Sequence, residues 1–146
     1  KTVMYAKGHY YLYKKKNPFK HLIYPLPNSN GHGIHAGMDI ENNLRFGPNA
    51  KWVDSIEYSF DENTLDEFCN SIKSYWVNFD PTCLSPDYTG IRSKIVAEGE
   101  GSQDFEILDA SDHGLENLIH LQGIDSPGLT SSLSIAAEVI SKLGIH

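Results

Sequence analysis

The chain has 146 residues, 40% of them hydrophobic and 21% charged, enough for one globular domain with a buried core. Twelve Lys plus Arg against nineteen Asp plus Glu give a formal charge of -7, which argues against a general nucleic-acid or anionic-membrane binder, since both rely on basic patches. No apolar stretch approaches the roughly 18 residues that span a bilayer, and Lys1-Thr2-Val3-Met4 has no signal-peptide layout, so a cytoplasmic protein is expected, with peripheral membrane association left open.

The chain opens directly on strand-like sequence, Thr2 to Tyr13, without an initiator methionine. This suggests a piece cut from something longer. Alternating β-branched and aromatic runs predict strands at Gly8–Tyr13, His21–Leu26 and Gly33–Ile40, and Leu44–Phe46 begins a fourth. Asn28-Ser29-Asn30-Gly31 and Glu41-Asn42-Asn43 are the turns between them, because Asn and Gly accept the positive φ of tight hairpins. Gly47-Pro48 ends this run, and the short basic stretch Lys14-Lys15-Lys16 reads as a solvated loop.

From Asp61 the period changes. Leu65, Phe68, Cys69, Ile72, Tyr75 and Trp76 recur at spacings of three and four, one face of a helix over about 62–77, with Asp61 or Asn63 as its cap. That stripe is core packing rather than a cofactor box. Further strands are expected at Tyr88–Val96, Phe105–Leu108 and Leu118–Gln122, the first two separated by the polar loop Glu98 to Gln103. A last helix runs from Pro127 to Leu143, with an apolar stripe of Leu129, Leu133, Ala136, Ala137, Ile140 and Leu143, and Gly144 as C-cap. The expected class is α+β: an antiparallel sheet with one packing helix over 1–110, then a terminal strand and helix over 111–146.

Three segments could carry chemistry. In Gly123-Ile124-Asp125-Ser126-Pro127-Gly128-Leu129-Thr130, Ser126 suits an N-cap and Pro127 the first helical position. The amides of Gly128, Leu129 and Thr130 would then point outward as an anion site. Ordinary capping is the bland alternative. In Tyr88-Thr89-Gly90-Ile91-Arg92-Ser93-Lys94, a period of two puts Tyr88, Gly90, Arg92 and Lys94 on one strand face. Gly90 leaves a gap for a small ligand, and Arg92 can grip a carboxylate through two parallel hydrogen bonds; an exposed polar face with a surface salt bridge is equally compatible. In Gly31-His32-Gly33-Ile34-His35, histidines three apart on a strand face opposite ways, so no metal site is expected. His35 is either a lone general base or a satisfied structural histidine. Cys69 and Cys83 form no CxxC and are expected to be reduced thiols. There is no GxGxxG, GxSxG, GxxxxGK[ST] or HExxH.

In order along the chain, His21-Leu22-Ile23-Tyr24-Pro25-Leu26-Pro27, Gly33-Ile34-His35, Arg45-Phe46-Gly47-Pro48-Asn49-Ala50, Pro86 to Lys94 and Gly123 to Thr130 resemble the second half of the FAD-dependent L-2-hydroxyglutarate dehydrogenases. That branch lies within the wider D-amino-acid oxidase and glycine oxidase group. The resemblance implies a fragment of a two-domain enzyme whose N-terminal Rossmann-like domain, holding the ADP half of FAD, would lie upstream of Lys1. It implies that Gly123 to Thr130, including Ile124, Ser126 and Pro127, line the flavin ring, and that Arg92 clamps a substrate carboxylate. Tyr88 and Lys94 would then hold the rest of a dicarboxylate, and His35 would take the hydroxyl proton. The chain departs from the wider group at Ser93, where that group carries proline. The expected partner is a small 2-hydroxy acid, best guess L-2-hydroxyglutarate, with amino-acid oxidation or a small anion-binding module as alternatives. The isolated chain is expected to be inactive, to retain little FAD and to be prone to self-association.

Overall fold

The computed structural model describes residues 3–26, 33–96, 99 and 103–145. Two compact units emerge, one from Tyr5–Arg92 and the other from Ser93–His146 with Lys1–Met4. The division falls at Arg92, earlier than the expected boundary at residue 110.

In the first unit the alternating opening run forms one long strand, β1 (Met4–Tyr13), with Ala6, His9, Tyr11 and Tyr13 buried and Tyr10 and Leu12 only partly so. Against it pair β3 (Leu44–Phe46) and β4 (Lys51–Val53), both antiparallel, and β2 (Ala36–Met38) pairs with β3. β5 (Leu84–Lys94) also pairs with β1, completing a five-stranded sheet. The sheet run therefore continues past Gly47-Pro48. Gly47 (φ 139) permits this, since a Cβ there would meet the His9 carbonyl oxygen at 2.6 Å: the chain turns hard against β1 and re-joins it as β4. The expected His21–Leu26 strand shrinks to a single bridge between Ile23 and Ala36, its continuation being stopped by Pro25, which lacks a ladder donor. The Asn28–Gly31 turn lies outside the described residues. At Glu41–Asn43 the Asp39 carboxylate accepts the amides of Glu41 (2.9 Å) and Asn43 (2.8 Å), holding Asn42 at φ 66.

The 62–77 helix appears as a 3-10 turn (Glu62–Thr64) leading into α1 (Leu65–Lys73). Asp61 caps the turn by accepting the Asn63 amide, and the Trp76 amide still reaches the Ile72 carbonyl at 2.9 Å beyond the helix end. Phe68 and Ile72 are fully buried and pack with Tyr11, Tyr13, Ile34, Ala36, Leu44, Phe46 and Phe79. Each such side chain contributes roughly 1.5–3 kcal/mol through burial. The core thus lies between α1 and one face of the sheet.

In the second unit β6 (Glu106–Leu108) pairs antiparallel with β7 (His120–Gln122). Between them is a short helix, α2 (Ala110–His113), closed by an Asp109/Asp112 capping box and the left-handed Gly114. Its Asp-x-x-Asp signal lies inside what the hydrophobic pattern presents as a connection. α3 (Ser132–Lys142) begins later than expected and ends at Leu143 with Gly144 at φ 66. Within the described residues its apolar stripe is not buried: Leu133 is 84% exposed and Leu129, before the helix, 91%. Among the described residues no helix is long and apolar enough to cross a membrane, and no three His, Cys, Asp or Glu side chains cluster as metal ligands. Cys69 and Cys83 are free thiols.

Candidate functional site

The first unit has one sheet face committed to α1 and one left open. Pairing fixes which residues lie on each. Ala36, Phe46 and Tyr11 are aligned in one cross-strand row and all buried, and the next row is Gly37, Arg45 and Leu12. Strand alternation therefore puts Tyr10 on the face away from the core. Carried back from β2, where Ile34 and Ala36 are buried and His35 and Gly37 are not, it puts His35 there too. Tyr88 joins them because its ring stacks on Tyr10, with centroids 4.5 Å apart and planes 15° from parallel.

Arg92 lies four residues further along β5, on the same face by the period of two, and it hydrogen-bonds the Tyr10 phenol. Between Tyr88 and Arg92, a Cβ on Gly90 would meet no atom within 4 Å. Gly90 has no positive φ to explain it either. The glycine leaves unfilled space beside a guanidinium, an arginine and an aromatic pair that can receive an anion. The Tyr10 phenol is raised above its ordinary value, first by burial and then by the Tyr88 phenol, with Arg92 opposing. It is thus a neutral hydroxyl at physiological pH.

His35 is brought to this face but not into contact with Arg92, since β3 and β1 intervene in the sheet, roughly 14 Å at the usual strand spacing. Its ring stands edge-on to Tyr24, centroids 4.5 Å apart, and the His35 carbonyl accepts the Gly47 amide at 3.0 Å. Arg45, on the intervening β3, has its charge matched by Asp39 and Asp87, each at 2.5 Å.

The remaining sequence-predicted residues belong to the second unit. Lys94 is ion-paired with Asp125, both largely shielded from solvent. The junction after β7 differs from the expected helix start. Ser126–Pro127 is a cis peptide, the Gly128 amide turns back to the Asp125 carbonyl, and the Pro127 carbonyl accepts the Ser131 amide at 3.0 Å. Residues 126–131 are thus a wound turn, with Ser131 rather than Ser126 in the cap position of α3. The amides of Leu129 and Thr130 have no backbone acceptor among the described residues. Both glycines have internal reasons. Gly123 sits at φ 65 with Ile95 Cδ1 at 2.7 Å from where a Cβ would stand, and a Cβ on Gly128 would meet the Asp125 carbonyl and Ile124 Cγ2, each at 2.7 Å.

Beside this turn is a cavity of about 100 Å³, lined by residues that include Lys94, Phe105, Gly123, Asp125 and Ser126. Drug-sized ligands occupy roughly 300–1,000 Å³, so a flavin ring does not fit inside it. A wider open cleft of about 760 Å³ runs from Phe105 and Ile107 past Pro127 to Ser131 and Ile135. The exposed Leu129 and Ile124 and the two amides suit one edge of a planar, partly polar ring; nothing in the sequence forms a phosphate cradle for an adenine nucleotide.

Sequence reasoning missed Tyr10 and Asp125. Tyr10 had a signal: in a strand that buries His9, Tyr11 and Tyr13, an aromatic at the alternate position needs another partner. Asp125 had none, being 31 residues from Lys94.

A sequence profile described as FAD dependent oxidoreductase matches residues 1–142. The mitochondrial L-2-hydroxyglutarate dehydrogenase of Arabidopsis thaliana is 33% identical over 94% of this chain and 31% of its own length. Glycerol 3-phosphate oxidase of Mycoplasma genitalium is 29% identical over 95% of this chain and 36% of its own. For glycerol 3-phosphate dehydrogenase of Caloramator mitchellensis the figures are 31%, 94% and 28%. The chain therefore spans between 28% and 36% of the length of these relatives. The solved structure of dithionite-reduced L-α-glycerophosphate oxidase from Mycoplasma pneumoniae, with FAD bound, superposes on 99% of this chain and 37% of its own, with a TM-score of 0.78 at 18% identity. That likeness shows a shared fold.

Proposed function

The chain belongs to the FAD dependent oxidoreductase family, and from that premise we propose that it is the substrate-facing part of an enzyme that oxidises an L-2-hydroxy acid, with L-2-hydroxyglutarate favoured, to the 2-oxo acid. The observation that carries this reading is the unfilled space over Gly90 between Tyr88 and Arg92. FAD, when bound, accepts the hydride equivalent that leaves the substrate carbon. The chain's own residues do the rest. Arg92 binds the α-carboxylate and so fixes which face of the substrate carbon is presented. Gly90 leaves room for the substrate backbone, and Tyr88 walls one side. His35, at an imidazole nitrogen, takes the hydroxyl proton. The 126–131 turn, with the amides of Leu129 and Thr130 and the side chains of Ile124 and Leu129, would meet the flavin edge, where N–H groups favour negative charge on the ring. The remainder of the protein would supply the adenine-nucleotide site.

Lys94 does not add a second cation as the sequence suggested, because Asp125 neutralises it. The choice of L-2-hydroxyglutarate consequently rests on the 33% identity to the Arabidopsis thaliana enzyme rather than on paired charges. Glycerol 3-phosphate is the second reading, supported by the two relatives that carry that name. Both substrates present a secondary CH–OH beside an anionic group.

The test is the full-length protein, purified and examined for flavin absorbance, then assayed with an artificial electron acceptor against L-2-hydroxyglutarate, glycerol 3-phosphate, glycine and a D-amino acid. A yellow protein with highest kcat/KM for L-2-hydroxyglutarate is expected. Preference for an amine sinks the hydroxy-acid assignment, and a colourless protein that FAD does not reconstitute sinks the flavoenzyme reading.

A further inference from the structure

We infer that Tyr10 is a positioning residue for the anion-binding arginine, holding the Arg92 guanidinium in its receiving orientation over Gly90. The inference rests on the proposed anion site and deepens it. Tyr10 is on the open face of β1, beside β5 rather than in the core. Its ring lies flat on Tyr88 at 4.5 Å, which removes the rotational freedom of both rings, and its hydroxyl meets Arg92. The phenol is neutral, so its oxygen accepts from a guanidinium N–H while its own proton remains available to donate. An arginine carries about 2 kcal/mol of rotamer entropy. One N–H anchored on a ring that is itself clamped leaves the opposite edge of the fork turned toward the space that Gly90 keeps open. Tyr10 and Tyr88 thus form a platform, and Arg92 is the group that it aims.

The positioning role separates from a packing role by chemistry. Tyr10→Phe keeps the stacked ring and removes only the oxygen; Tyr10→Leu removes both. In the full-length FAD-loaded protein, Tyr10→Phe is expected to raise KM for the favoured anionic substrate about 5–10-fold, as loss of one hydrogen bond to a charged group implies. kcat should stay within about twofold, because ground-state and transition-state binding weaken together. Thermal stability should stay that of the unaltered protein.

Calorimetric titration with 2-oxoglutarate and, separately, with inorganic phosphate gives a readout that needs no turnover and distinguishes the carboxylate from the phosphate source. The Kd of whichever anion binds should rise by the same factor in Tyr10→Phe and much further in Arg92→Gln. If Arg92→Gln weakens binding and Tyr10→Phe does not, the positioning inference is overturned while the anion site stands. An equal loss in Tyr10→Phe and Tyr10→Leu supports the hydroxyl as the operative group; a loss confined to Tyr10→Leu assigns the residue to packing and overturns it. If neither anion binds the unaltered protein, the proposed site and this inference fall together.

Discussion

Gly90→Ala separates folding from function at the position on which the functional reading depends. A glycine inside a strand costs about 0.5–1 kcal/mol relative to alanine through backbone entropy. At Gly90 an added Cβ meets nothing within 4 Å and the backbone has no positive φ, so no clash or strain offsets that gain. The substitution should therefore raise the unfolding free energy of the full-length protein by about 0.5–1 kcal/mol. The same methyl would stand between Tyr88 and Arg92 in the space assigned to substrate. Displacing the reacting carbon by roughly 1 Å costs about 100-fold in rate, so kcat/KM should fall on that order, with a larger fall for Gly90→Val. Urea unfolding and steady-state kinetics on the same preparations test both halves. Unchanged kcat/KM in Gly90→Ala refutes the site assignment; a loss of stability refutes the account of the open space.

The other expected outcomes follow from packing and charge. Gly47→Ala should destabilise the protein by about 2 kcal/mol or more, because φ 139 is a region essentially restricted to glycine and the Cβ would stand 2.6 Å from the His9 carbonyl oxygen and 2.8 Å from the Tyr10 ring; the urea midpoint reads this. Phe68→Ala, at a fully buried position, should cost about 3–5 kcal/mol, visible as a lowered midpoint at nearly constant slope. Asp39 is held down to about 2 by hydrogen bonds from the Asn43 side chain and amide, with Arg45 contributing, and Glu57 to about 2 by Ser59 and Lys7. Depressed carboxylates contribute stability that is fully present above their ordinary values near 4 and lost as the pH falls toward 2. Unfolding midpoints across that interval should drop steeply, and Asp39→Asn should flatten part of the fall.

Periodicity in the sequence was enough to place β1, the 65–73 helix and the last helix, because each is decided by which side chains must leave water. Phe68 and Ile72 sit three and four residues from their stripe neighbours and end in the core; Tyr11 and Tyr13 alternate into it. Turn chemistry was equally local, as at Asn42 and Gly144. The Tyr88, Gly90 and Arg92 face was legible for the same reason, a period of two. What long-range contacts decide was not legible. Whether His21–Leu26 becomes a ladder depends on the partner that Ala36 offers, and β4 exists only because Gly47 allows the chain to press against His9. The start of α3 moved because the Asp125 carbonyl recaptures the Gly128 amide. Lys94 looked like a second ligand-binding cation until folding brought Asp125 to it, and Tyr10 looked like a core aromatic until the sheet placed it against Tyr88. Sequence alone determined which residue types could hold an anion, because that chemistry belongs to the side chain. Only the tertiary structure decided which of those charges were already neutralised and which hydroxyl aims the arginine, because both depend on partners distant in the chain.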